Sequence, residues 1–418
     1  MRPRDHETST VERISMRSGW LQCVVVALSL AFFSSCGSSS KSGSIYLATQ
    51  GTSPGLVTQY RVNLGNGLLN SNNGALVQTG NSAKAGTQPT VMLFDPTSSF
   101  AYVTNFVSND ISLFTVNKDG SLTAASSTTP LSNAVRPAGM AMDPGAHFLF
   151  VANQGLAASQ SNPVAVPGNL SVFSIGSGGA LTEVAGSPFP IQETSPPLPF
   201  NTVPPFPSAV AVAHSGNFVY VADQANNALV SFSFDSSSGA LTPIAEGCPQ
   251  CFGTVVGTAP SAVLSPPIGD FLYVANSGSN DIYQFVLNPD GTLSPLNGSP
   301  TATTVATGQG PISMTTDPAA KYLFSLANQG SDITAYTLNQ VTGQLTAITG
   351  NGGTVSTGAN PVAFILRSDD TRDGNFWLFV SNNGASSIST YSMQGLTGKL
   401  TPLPQLTSPL APYGIGSR

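Results

Sequence analysis

Apolar positions in this chain follow a period of two or fall in short continuous runs, and helical periodicity is absent. The clearest stretch, AYVTNFVSNDISLFTVNKDGSLTAA (Ala101 to Ala125), predicts a buried strand ending at Asn105 and a small polar turn. An alternating strand then carries Ile111, Leu113, Phe114 and Val116, and a glycine-containing hairpin leads to Leu122. Diverged copies follow at FLFVANQG (Phe148 to Gly155), FVYVADQANNALVSFSF (Phe218 to Phe234) and FLYVANSGSNDIYQFVLNPDGTL (Phe271 to Leu293). Two more are YLFSLANQGSDITAYTL (Tyr322 to Leu338), which has one extra residue, and WLFVSNNGASSISTYSM (Trp377 to Met393). A weaker copy, SIYLATQGTSPGLVTQYRV, opens at Ser44.

The aromatic anchors of these copies are Tyr46, Tyr102, Phe150, Tyr220, Tyr273, Phe324 and Phe379, so successive spacings are 56, 48, 70, 53, 51 and 55 residues. Propeller repeats run about 40–50 residues, with one four-stranded sheet per blade. The pattern predicts an all-β fold: a seven-bladed β-propeller over residues 44–418.

Each unit parses into four strands. The first follows a proline, as in QPTVMLFDP (Gln88 to Pro96), RPAGMAMDP (Arg136 to Pro144), FPSAVAVAHSG (Phe206 to Gly216), APSAVLSPP (Ala259 to Pro267), GPISMTTDP (Gly310 to Pro318) and NPVAFILRS (Asn360 to Ser368). A proline suits a strand start, and it biases the residue before it toward extended backbone. The second strand is the anchor, and the third and fourth form a hairpin around turns such as Asp119-Gly120, Asp290-Gly291 and Gly343. The unit at Ser44 has no proline-led strand before it, whereas APYGIGS (Ala411 to Ser417) matches the first-strand pattern and has no successor. The C-terminal strand is therefore expected to close the ring beside the strand containing Ile45 to Ala48, leaving no lone edge.

Upstream, VVVALSLAFF (Val24 to Phe33) is an apolar run preceded by Arg13 and Arg17 and followed by Ser34-Ser35-Cys36. It is short for a membrane span and has the charged flank of a secretory signal. The small residues before Cys36 resemble a bacterial lipoprotein signal, although Phe33 stands where leucine is usual. The expected organisation is a signal over 1–36, lipidated at Cys36, and a flexible tether over 37–43; plain signal cleavage is the alternative. Met16 is a second possible start. The expected location is the periplasm or cell envelope, on the membrane.

Charged residues make up only 8% of the chain, against about 25% in typical soluble domains, and the net charge is −6. No basic cluster suited to nucleic acid is present in the sequence. Beyond Cys23 and Cys36, the cysteines are Cys248 and Cys251, as Cys-Pro-Gln-Cys. In a reducing compartment that spacing suggests a redox pair or half a zinc site. Outside the cytoplasm a local disulfide is expected, and a zinc site would need two further ligands in a chain with three histidines. No metal or cofactor is expected. His147 and His214 both fall in turns between a first strand and its anchor, on the face opposite the loops joining the blades, and read as surface residues.

The Asx residues ending the anchors (Asn105, Asn153, Asn276, Asn328, Asn382 and, replacing Asn once, Asp223) recur with the repeat, which favours a structural role, as it does for Asp110, Asp281 and Asp332. The residues before each leading proline enter the central mouth: Gln88, Arg136, Phe206, Ala259, Gly310, Asn360 and Ala411. Arg136 alone is charged, which makes it a candidate for holding a carboxylate or phosphate, or else a solvated rim residue.

The repeated Tyr-Val-Thr-Asn or Tyr-Val-Ala-Asn anchor, with Asn-x-Ile-x-x-Phe after it, resembles the YVTN/lactonase β-propeller family and its 6-phosphogluconolactonase-like group. That resemblance spans about Ser44 to Ser417 and implies seven blades. Its enzymatic members, as the resemblance implies, carry a Pro-His-x-His strand and an Asp-Leu-Gly anchor at the mouth. This chain has no Pro-His pair at a proline-led strand, and Asp223-Gln224-Ala225 keeps only the aspartate. Arg136 and Asp223 are thus the candidate catalytic pair for a lactonase that opens cyclic esters, needing a base and a cation. The competing expectation is a membrane-tethered module that binds a glycan, peptide or protein.

Overall fold

The structure, a computed structural model, describes residues 42–50, 53–156, 165–191, 204–245, 253–296, 303–368 and 375–417. The leader and tether, Cys36, Cys248 and Cys251 lie outside these residues.

Strands assemble into seven sheets, antiparallel except for one parallel pairing. In blade two, for example, Pro89–Phe94, Phe100–Asn105, Asp110–Val116 and Leu122–Ala124 run from inside to outside. The proline-led strands are innermost, and each touches the innermost strands of the two neighbouring blades, so the contacts close on themselves. Pro412–Ser417 fills the inner place of blade one: Leu47 pairs with Ile415 and Ala48 with Gly414. A Cβ on Gly414 would sit 2.2 Å from the Thr90 carbonyl of blade two, so only glycine permits that approach. A second junction lies further out, where Thr407 of blade seven pairs in parallel with Ala75 of blade one. Trp377 Nε1 donates to the Leu64 carbonyl across the same boundary.

The core is distributed over the seven boundaries between blades, with one buried cluster at each. Alternation explains this: each sheet is covered on both faces by its neighbours, so the anchor strands read as nearly continuous apolar runs, and Phe148–Asn153 is buried throughout. The anchor tyrosines also reach across. Tyr46, Tyr102, Tyr220 and Tyr273 donate their hydroxyls to the carbonyls of Gly120, Gly179, Gly291 and Gly343 in the next blade, at 2.7, 2.9, 2.9 and 2.6 Å. Each such bond contributes about 1 kcal/mol. Where the anchor is Phe150, it packs edge-on against Phe234 of the next blade instead, with ring centroids 5.0 Å apart.

The residues before the prolines correct the expectation of extended backbone. Gln88, Arg136, Ala259, Gly310 and Asn360 have φ of 61°, 59°, 53°, 64° and 52°. Tertiary hydrogen bonds override the local preference. The N–H of Arg136, Ala259 and Gly310 donates to the side-chain oxygen of Asn109, Asn227 or Asn280 in the preceding blade. Each of the five carbonyls accepts from the residue just past its own blade's anchor, as Arg136 does from Gln154 N. Every such inner strand then starts on a register irregularity after its proline.

Candidate functional site

The inner strands surround a cavity of about 620 Å³. Its wall is built from Thr90, Val91 and Met92 of blade two, Ile312 and Ser313 of blade six, Val362 to Ile365 of blade seven, and Tyr413 to Ile415 of the closing strand. Gln88, Phe106, Gln154 and Asn328 stand at its mouth, on the face where the inner strands begin. Among the described residues, no Asp, Glu, Lys, Arg or His lines it. What it offers a ligand is amides, hydroxyls, aliphatic surface and the aromatic residues Phe106, Phe364 and Tyr413.

Arg136 lies beside this mouth without lining the cavity. Its guanidinium carbon is 5.7 Å from the centroid of the Phe106 ring, a cation–π contact. Through its carbonyl it also fixes the backbone of Gln154, and both Phe106 and Gln154 face the cavity. Asp223 is buried and occupied elsewhere. It accepts from Phe206 N at 2.9 Å, Ala225 N at 3.2 Å and Asn226 Nδ2 at 2.6 Å. Burial pushes its carboxyl above the usual range, against the lowering effect of those bonds. No hydrogen bond or ion pair joins Arg136 to Asp223, so the structure does not bring the sequence-derived pair together. His147 and His214 are exposed on the opposite face, and His147 Nδ1 stands 3.8 Å from Asp143 Oδ2. Asp143 itself is committed to the backbone N–H groups of its own turn.

Asn105, Asn153, Asn276 and Asn382 are buried and bond across to the third strand of their own blade, as Asn105 Nδ2 does to Asp110 Oδ1 and Ser112 Oγ. Asn328 departs from this set. The extra residue in YLFSLANQG puts Ala327 opposite Asp332, where the other blades have Asn276 opposite Asp281 or Asn105 opposite Asp110. Asn328 is displaced past the strand end into the cavity wall, where its Nδ2 donates to Asn360 Oδ1 and the Pro361 carbonyl at 2.6 Å each. Asp332 thereby loses the amide partner that Asp110 and Asp281 have, and burial pushes its carboxyl upward. That one-residue insertion was the sequence signal for a cavity residue, read there only as a longer repeat.

An all-β ring of seven sheets around a cavity of mixed polar and apolar lining defines a seven-bladed β-propeller. Residues 46–255 and 249–364 match the family profile described as Lactonase, 7-bladed beta-propeller, and the chain belongs to that family. Similar solved structures include a candidate 6-phosphogluconolactonase from Bacteroides fragilis, 19% identical, with a TM-score of 0.69 over 92% of this chain and 99% of that one. A periplasmic gluconolactonase from Pseudomonas aeruginosa is 17% identical, with a TM-score of 0.68 over 90% of this chain and 99% of its own. At these identities the likeness is one of fold. No curated protein matches the chain.

Proposed function

We propose that the protein is an exported, lipid-tethered propeller whose central cavity binds a neutral polar ligand, of which a saccharide is the class that fits best. The carrying observation is the cavity lining: three amide side chains and three aromatic residues, Phe106, Phe364 and Tyr413, with no ionisable group among the described residues except the Tyr413 phenol. Amides exchange hydrogen bonds with sugar hydroxyls, and ring faces cover the apolar faces of a pyranose. The volume lies within the range of small-molecule sites. Tethering rests on the run Val24 to Phe33 and on Cys36. Thermal-shift and calorimetric titration with a panel of neutral mono- and disaccharides and short peptides tests the reading. A saccharide should stabilise the protein, and the paired change Gln154→Ala with Asn328→Ala should abolish that response. Binding confined to anionic ligands would overturn it.

A second reading, lactone hydrolysis, is favoured by membership of the lactonase family and by the two gluconolactonase-type neighbours. Arg136 would then have to leave Phe106 to meet an oxyanion at the mouth.

A further inference from the structure

The face opposite the cavity mouth divides by charge. Seven of the chain's Lys and Arg residues are described, and five of them lie toward this face in four consecutive blades: Lys321 in blade six, Arg367 and Lys399 in blade seven, Arg61 in blade one and Lys118 in blade two. Arg61, Lys118 and Arg367 converge on one polar pocket of about 480 Å³, which also takes in Ser42, Ser44, Ser98 and Asp119. The Arg367 guanidinium lies flat on Gly43: a Cβ there would meet its Nε at 2.8 Å. Asp119 is the pocket's one described carboxylate, and its Oδ1 is taken up by the N–H and hydroxyl of Ser121. Across the same face, blades four and five expose Asp235, Asp270 and Asp290, while the turn aspartates Asp95, Asp143 and Asp317 of blades two, three and six are buried against their own backbone. Ser238 and Ser237 hold Asp235 at about 2, so it stays ionised.

The same basic sector carries the two most exposed large apolar side chains of the described chain, Leu396 (93%) and Val341 (88%), at the hairpin tips of blades seven and six. In a chain with acidic overall charge, cations gathered around a pocket and flanked by protruding apolar tips match the chemistry of an anionic bilayer surface. The chain also enters the propeller here. Ser42 and Ser44 form part of the pocket, and the six residue-to-residue steps from Cys36 to Ser42 span at most about 20 Å.

We propose that this sector of blades six, seven, one and two is a membrane-docking face. The pocket of Arg61, Lys118 and Arg367 receives a lipid phosphate, and Leu396 and Val341 enter the headgroup layer. The cavity mouth then points away from the membrane. The tether reading of the previous section supplies the orientation, and the charges and apolar tips supply the contact.

The test uses the full chain with Leu396→Trp and vesicles of phosphatidylcholine, alone or mixed with phosphatidylglycerol, made with brominated acyl chains. Quenching of the new tryptophan should appear with phosphatidylglycerol and be weak without it. Arg61→Gln with Lys118→Gln, both exposed positions, should weaken the anionic-vesicle response about tenfold or more, since each cation near an anionic surface is worth about fivefold. Quenching indifferent to phosphatidylglycerol, quenching unchanged by the double substitution, or no quenching at all would each overturn the proposal. Protection by inorganic phosphate without any vesicle response would overturn docking and assign the pocket to a soluble phosphate compound. The tether is scored separately by co-flotation with pure phosphatidylcholine. A chain that does not float there but is quenched by phosphatidylglycerol loses the tether reading and keeps the docking face; a chain that floats unquenched does the reverse.

Discussion

The two faces of the propeller use the same repeat in opposite ways. At the cavity mouth, backbone strain and side-chain amides are spent on joining blade to blade, and the result is a neutral cavity. On the other face the hairpin turns are free to vary, and charge has accumulated there: five of the seven described cations on blades six, seven, one and two, and the exposed carboxylates Asp235, Asp270 and Asp290 on blades four and five. The difference teaches where to look for function in a symmetric fold. A feature present in every blade holds the ring together, whereas a feature that breaks the symmetry is available to a ligand. Asn328 breaks it at the mouth, and the pocket of Arg61, Lys118 and Arg367 breaks it on the far side.

The largest effect should come from removing Pro412 to Arg418. That deletion takes away a wall of the cavity and the inner strand of blade one while leaving the far-face cations in sequence. We expect loss of cooperative folding, a cost above about 5 kcal/mol, seen as the disappearance of a single thermal transition. A truncated protein that still melts sharply would mean that the outer junction at Thr407 and Ala75 suffices to close the ring.

Next in size are the tyrosine bridges, whose acceptors lie in far-face hairpins. Tyr102→Phe should cost about 1–3 kcal/mol in urea unfolding, because the Gly179 carbonyl is left buried without its donor. Phe150 occupies the same repeat position in the next blade, so the ring itself is accommodated.

The bridges also predict alkaline behaviour. Burial raises the phenols of Tyr102 and Tyr273 above their ordinary value, and those of Tyr336 and Tyr391 to about 12. A group whose pKa is higher folded than unfolded contributes stability below its unfolded value, and that contribution is lost as pH rises. Stability should therefore hold up to about pH 10 and fall progressively between about 10 and 12. Melting temperature against pH checks this.

The smallest expected effect is at Asp332, the carboxylate stranded by the insertion beside Asn328. Its folded pKa is raised, so the charged form is disfavoured in the folded protein near neutrality. Asp332→Asn should raise the melting temperature slightly at pH 7, and the gain should vanish as acid protonates the wild-type carboxyl. The same change at Asp110 should destabilise at pH 7, since Asp110 accepts from Asn105, Ser108 and Thr128.

Most of the architecture was legible in the sequence because alternation and repeat spacing are local properties written several times over. The seven anchors, the inner position of the proline-led strands and the closing of the ring by the C-terminal strand beside Ile45 to Ala48 all followed from that repetition. The backbone before the prolines did not, because its left-handed conformation is imposed by Asn109, Asn227 and Asn280 from a neighbouring blade. The candidate site was only half visible. Arg136 and Asp223 stood out by residue type, yet each side chain is engaged elsewhere, with Phe106 and with Phe206 and Asn226. Asn328 and the basic pocket depend on which residues the ring brings together from distant blades, and spacing along one repeat carries no record of that.

The central claim is that the cavity is a neutral binding site and that the ionisable residues near its mouth are structural. The most direct measurement is hydrolysis of 6-phosphogluconolactone by the purified wild-type protein, followed beside Arg136→Ala and Asp223→Asn. The account predicts no hydrolysis above the spontaneous rate for any of the three. Turnover by the wild type that disappears in Arg136→Ala or Asp223→Asn would contradict it and place an active site at the mouth.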